Sequence, residues 1–215
     1  MAFFRDLSQA MKEDRVNLLK YVLAGAVGFG IGFLFMYVWV SYTDMFPGAP
    51  KNVGFGLFYS YRAVGYAMAG IIGGIFLQYV SKITMNKILF GLFSAIGFAV
   101  GGVISEILLI MSSIPALILG WILGDIGLMS EILFIIILIC FMIMGVMIGG
   151  AVVGAFYGFA VKKIQQLTIN GAICFAVGGM VSGIFIKPTD LMSYIIFGTI
   201  VGASLGIGMY IAEKR

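Results

Sequence analysis

Residues 88–111 read ILFGLFSAIGFAVGGVISEILLIM, a run whose one ionisable side chain is Glu106. A helix needs about 20 mostly apolar residues to cross a hydrocarbon core of about 30 Å, and this stretch meets that length. Similar stretches cover approximately residues 18–40, 55–80, 132–161, 167–186 and 192–212. Of 215 residues, 62% are hydrophobic and 10% charged, against roughly 45–50% and 25% for a soluble domain. No soluble fold of this size has enough interior for that much apolar surface. The sequence therefore predicts an all-α integral membrane protein with six transmembrane helices. Short connections make residues 18–215 a single membrane domain.

Inside the opening stretch, residues 95–102 read AIGFAVGG, and the chain repeats the phrase. Residues 172–179 read AICFAVGG and residues 26–33 read AVGFGIGF; Ser105 and Ser182 extend the match between the later two. The alternate spans share another pattern. Gly70 and Gly74, Gly150 and Gly154, and Gly202 and Gly206 each form GxxxG, and in each span a lysine follows twelve residues after the first glycine, at Lys82, Lys162 and Lys214. The expected organisation is three glycine-rich hairpins over approximately 18–80, 88–161 and 167–212. All run out and back in one orientation, which suits a pseudo-threefold bundle around an axis along the membrane normal.

Lysine and arginine fix the expected orientation, because positive residues collect in cytoplasmic loops. Arg5, Lys12, Arg15, Lys20, Lys82, Lys87, Lys162, Lys163, Lys214 and Arg215 fall on one side, and only Lys51 and Lys187 on the other. Both termini are thus expected in the cytoplasm, with the protein in the cell (plasma or inner) membrane. The net charge of +4 follows from this bias and implies no nucleic-acid partner. Tyr37, Trp39, Tyr42, Tyr59, Tyr61 and Trp121 suit the outer headgroup region. Residues 1–17 hold Phe3, Leu7 and Met11 at near-helical spacing. They are read as an interfacial amphipathic helix or as a frayed extension. With Asp6, Glu13 and Asp14 among the basic groups, and a full span following, they do not resemble a cleavable signal. The run after Ser112, Ser113 and Pro115, to about Leu123, is too short to span. It is expected as a re-entrant or interfacial helix, or as part of a long fourth span.

Lipid tails are as apolar as leucine, so close backbone approach at small residues holds membrane helices together. Gly28, Gly32, Gly70, Gly74, Gly97, Gly101, Gly150, Gly154, Gly178, Gly202 and Gly206 are the expected packing positions. Their faces either join the hairpins within one chain or bind another subunit.

Ionisable groups inside spans are costly and mark candidate sites. Arg62 lies 20 residues before Lys82, and Glu106 lies 19 after Lys87. At ~1.5 Å per residue both sit roughly 30 Å from the lysine boundary, so they share a depth near the outer edge. Neither recurs: the repeat puts Tyr37 and Gly183 at the place of Glu106, and Met142 and Tyr194 at that of Arg62. An ion pair or gate at the outer mouth is expected, either structural or functional. Asp125 and Glu131 add negative charge to the second outer loop.

Histidine is absent, and Cys140 and Cys174 both lie in apolar runs, where they read as small buried hydrophobes. No metal, cofactor or catalytic set is expected, and the chain is not read as an enzyme. Proton-translocating ring subunits of rotary ATPases are also glycine-rich hairpins, but their mid-membrane carboxylate is missing from the second, fourth and sixth spans. Mitochondrial carriers share three two-helix repeats, but their proline–acid–base motif is missing from the odd spans. Two expectations remain. The first is a non-catalytic subunit that packs through its glycine faces against other membrane subunits or itself. The alternative is a small transporter or channel with its path between the hairpins and Arg62 and Glu106 at the outer mouth.

Overall fold

A computed structural model of the chain describes residues 2–45, 55–82, 85–122, 128–185 and 191–214. They form seven helices: α1 (Ala2–Glu13), α2 (Arg15–Met45), α3 (Phe55–Val80), α4 (Lys87–Ile122), α5 (Leu128–Val161), α6 (Ile164–Phe185) and α7 (Leu191–Lys214). There are no strands among the described residues. Five stretches are long and apolar enough to cross a membrane: Arg15–Tyr42, Tyr61–Val80, Lys87–Leu108, Ile143–Val161 and Leu191–Lys214. α6 adds the shorter apolar stretch Ile164–Gly178. The expected turn Lys187–Asp190, Lys51, Asp125 and Arg215 lie outside the described residues, as do the side chains of Tyr59, Trp121, Glu131, Met142, Ser182 and Gly183.

Local signals set the boundaries at the lysine-rich end. Asp14 accepts from the Asn17 backbone N–H (3.4 Å) and Asn86 from that of Ile88 (2.9 Å). These are N-cap bonds that satisfy first-turn donors of α2 and α4. α5 ends with Lys162 in the left-handed region, φ 58°. The Lys163 N–H reaches back to the Gly158 carbonyl (2.7 Å) and the Lys162 N–H to that of Phe159 (3.4 Å), the paired bonds of a Schellman ending. α6 then starts so close that a methyl on Gly158 would meet the Ile164 Cα at 2.5 Å.

Two expectations are corrected. Residues 114–122 are no separate segment and no part of the following helix; they continue α4 through Pro115. At 36 residues and ~1.5 Å each, α4 is about 54 Å long. In membrane helices, neighbouring groups take up the backbone partners that proline frees. Of the two cysteines, Cys174 is buried but Cys140 lies exposed on the surface, where a thiol suits lipid as well as a methyl does.

Helices α2 to α7 form a closed ring in chain order: each packs on its neighbours in sequence, and α7 closes against α2. α1 lies against α2 and α7. Along α2, Val27, Ile31, Phe35 and Val38 face outwards while Phe29, Phe33 and Met36 are buried. The ring interior is aromatic and filled. Phe29 stacks on Phe98 (centroids 4.7 Å), Phe98 meets Phe175 (5.7 Å), and Phe33 meets Phe98 and Phe197 edge-on. Phe29, Phe98 and Phe175 occupy the same place in the three quoted octets.

One network ties the start of α2 to the end of α7. The Tyr210 hydroxyl donates to Asp14 (3.0 Å) and Lys214 pairs with it (3.3 Å). The Asn17 side chain, followed by Tyr210 and Lys214, outweighs desolvation and holds the Asp14 carboxyl at about 2, below its ordinary 3.8. A depressed carboxyl stabilises the fold fully above its unfolded value and loses that contribution as pH falls through the folded one. The expected result is an acid-induced fall in apparent Tm between pH 3.8 and about 2 that is shallower in Asp14→Asn than in wild type. Parallel curves in thermal scans would remove Asp14 from the acid response.

Candidate functional site

Three layers follow one another along the ring interior. α3 passes all of them, from Arg62 through Tyr66, Gly73 and Leu77 to Lys82 just past its end.

At the first level Arg62 Nη1 donates to Glu106 Oε1 (2.7 Å), and the Tyr66 hydroxyl donates to the same oxygen (2.8 Å). Arg62 and Glu106 therefore form an ion pair. The side chains keep 31% and 15% of their exposure, so the pair is half-buried and meets solvent or headgroups on one side. Tyr194 on α7 lies within electrostatic range of Arg62 and Tyr66, although α7 is not a ring neighbour of α3. Tyr194 also meets Tyr37 (5.3 Å). These are the two tyrosines that the expected repeat sets against Arg62 and Glu106.

The middle level is the phenylalanine layer. Phe29 lies against Gly73, where a methyl would strike its ring. Phe29 and Phe98 are 0% and 1% exposed, so no water column crosses this layer.

The third level opens towards the lysine-rich end. Below the phenylalanines lies a narrow cavity of about 10 Å³, lined in part by Leu77, Tyr157, Asn170 and Met209, just large enough for one water. The buried Asn170 amide donates to the Gly208 carbonyl (3.0 Å). Ser94 donates to the Gly70 carbonyl and bonds the Tyr157 hydroxyl. Leu167 and Met209 also line a wider cavity of about 220 Å³, together with Lys82, Val161, Lys163, Ala212 and Glu213. Lys163 donates to the Ala212 carbonyl (2.6 Å). Glu213 Oε2 accepts from the Tyr21 hydroxyl (2.5 Å) and the Lys82 backbone N–H (3.2 Å). Glu213 Oε1 is buried without a hydrogen-bond partner among the described residues.

Every glycine singled out in the sequence faces another helix of the same chain. Gly28 and Gly32 face α3, Gly97 and Gly101 face α5, and Gly178 faces α7. Gly70 and Gly74 face α4, Gly150 and Gly154 face α6, and Gly202 and Gly206 face α2. A methyl on Gly70 would lie 2.6 Å from the Ser94 carbonyl oxygen, and one on Gly150 2.5 Å from that of Gly171. On Gly202 it would overlap the Gly25 carbonyl.

Sequence reasoning missed Tyr66, Asn170 and the cavity around Glu213. Tyr66 had a signal, one helical turn after Arg62 on the same face. Glu213 had none, because an acid next to the last lysine looks like solvated tail. No protein-family model, curated protein or solved structure matches the chain.

Proposed function

We propose that this multi-pass membrane protein is a small transporter or channel whose solute path runs inside the ring, held closed by the phenylalanine layer. The observation that carries this reading is the interior itself. A charged cavity at the lysine-rich end shares Leu167 and Met209 with the narrow cavity beside Asn170, and Arg62, Tyr66 and Glu106 meet on the other side of the phenylalanine layer. Six spans with both termini in the cytoplasm put the lysine cavity on the cytoplasmic side and the ion pair at the outer mouth. Three repeated hairpins are supported by the seams. Gly70, Gly150 and Gly202 approach the carbonyls of Ser94, Gly171 and Gly25, each one residue before the alanine that opens its octet. The third seam joins the last hairpin to the first, as a pseudo-threefold ring requires.

The same seams weaken the other reading, a subunit that binds partners through its glycine faces. A closed ring uses all three GxxxG faces internally. What remains outside are apolar stripes such as Val27, Ile31 and Phe35, which lipid alone satisfies.

A dry apolar gap does not admit water, so the test is a polar gap. Phe98→Asn and Phe175→Asn, reconstituted in planar bilayers, are expected to conduct ions where wild type is silent. Size-exclusion profiles like that of wild type establish that the variants are folded. Folded variants as silent as wild type would sink the passage.

A further inference from the structure

The cavity at the lysine-rich end holds opposite charges in separate places, and those charges define a ligand. Glu213 supplies the negative part. Its Oε2 is occupied by Tyr21 and the Lys82 backbone, while Oε1 is buried and has no hydrogen-bond partner among the described residues. A buried acceptor left open in a native structure points to a missing donor. α3, α5 and α7 all end at this cavity, and helix C-termini carry about half a negative charge each. A cationic donor is therefore favoured beside Glu213.

Lys82 and Lys163 supply the positive part. Lys163 commits one bond to the Ala212 carbonyl, and an ammonium carries three donors, so it retains capacity for an acid. Val161, Leu167, Met209 and Ala212 complete the wall with apolar surface. A lone anion would meet Glu213 and three helix C-termini, and a lone cation would meet two lysines and the N-terminus of α6, which starts beside Lys163. A zwitterion satisfies both halves. At about 220 Å³ the cavity is below the ~300 Å³ at which drug-sized sites begin, so the ligand is small.

We propose that the cavity of Lys82, Lys163 and Glu213 binds a small amino acid with an aliphatic side chain. The amine lies on Glu213 Oε1, the carboxylate on the two lysines, and the side chain against Leu167 and Met209. This names the solute class of the passage and rests on that reading for its transport role.

Binding of radiolabelled L-leucine to the wild-type protein in nanodiscs tests it, with 3-methylbutylamine and 4-methylpentanoate as competitors lacking one charge each. Leucine is expected to bind saturably, and each competitor at least about tenfold more weakly, a difference of about 1.4 kcal/mol. Glu213→Gln keeps an oxygen for Tyr21 and Lys82 while removing the free acceptor. It is expected to weaken leucine about tenfold and to leave 4-methylpentanoate unchanged or tighter. Lys82→Met is expected to weaken leucine and 4-methylpentanoate but not the amine. The proposal is overturned by the absence of saturable leucine binding up to about 10 mM, well beyond a millimolar Kd. It is also overturned if 4-methylpentanoate binds as well as leucine, which marks a plain anion site, or if Glu213→Gln binds leucine like wild type. Loss of binding beside conducting Phe98→Asn removes only the ligand class. Specific binding beside silent Phe98→Asn keeps the site and removes the passage.

Discussion

Gly202→Ala is expected to lower the apparent Tm by about 6–12 °C, the equivalent of about 3 kcal/mol at the upper end of overpacking costs. The matched control Gly91→Ala leaves it unchanged or slightly raised. Gly202 and Gly25 touch reciprocally, and a methyl on either would overlap the other's carbonyl group. Backbone atoms cannot rotate away as a side chain can, so α7 must separate from α2. That seam closes the ring. At Gly91 the nearest atom to an added methyl is Ile75 Cγ1, at 3.4 Å, which is ordinary contact. There the change also removes glycine's helix penalty of roughly 0.5–1 kcal/mol. Thermal scans in nanodiscs check both. Equal shifts for the two variants would mean that close approach at Gly202 does not hold the ring shut.

Much of the fold was legible because a bilayer fixes length. Runs of about 20 apolar residues located the helices, and a fixed rise per residue put Arg62 and Glu106 at one depth before any contact was known. Hydrophobic periodicity, the usual guide to the buried face, was silent. Lipid and protein interior are equally apolar, so Val27 and Ile31 outside look no different from Phe29 and Phe33 inside. Residue size carried the information, since glycines mark the faces that must come close. Size does not say whose backbone approaches, and so the sequence left the glycine faces open to a partner that the closed ring does not need. The run after Pro115 was read apart from the third span because its length alone was weighed, and α4 carries it as an extension well beyond one bilayer crossing. The lysine-end cavity was out of reach: Lys82, Lys163 and Glu213 come from the ends of three helices far apart in sequence, and only the ring closure of α7 on α2 brings Glu213 beside Lys82.

Removing one member of the Arg62–Glu106 pair is expected to cost more than removing both. Arg62→Met leaves the Glu106 carboxylate with only the Tyr66 hydroxyl, in a setting where its side chain is 15% exposed. Breaking a fully buried pair costs about 3–5 kcal/mol. The guanidinium is 31% exposed and partly screened, which lowers the expected loss to about 2–3 kcal/mol. Arg62→Met with Glu106→Gln removes both charges, keeps an acceptor for Tyr66, and is expected to recover at least half of that loss, because neither charge remains unpaired. Thermal scans measure this coupling, and additive losses would show that the two side chains do not depend on each other. The same variants separate a structural pair from a gate when placed in the conducting Phe98→Asn background. If the route passes Arg62, a fixed positive charge at its mouth repels cations, and Arg62→Met moves the reversal potential in a KCl gradient towards cation selectivity. Glu106→Gln moves it the other way. A reversal potential indifferent to both, in variants that conduct, leaves the pair as a brace between α3 and α4 with the route elsewhere.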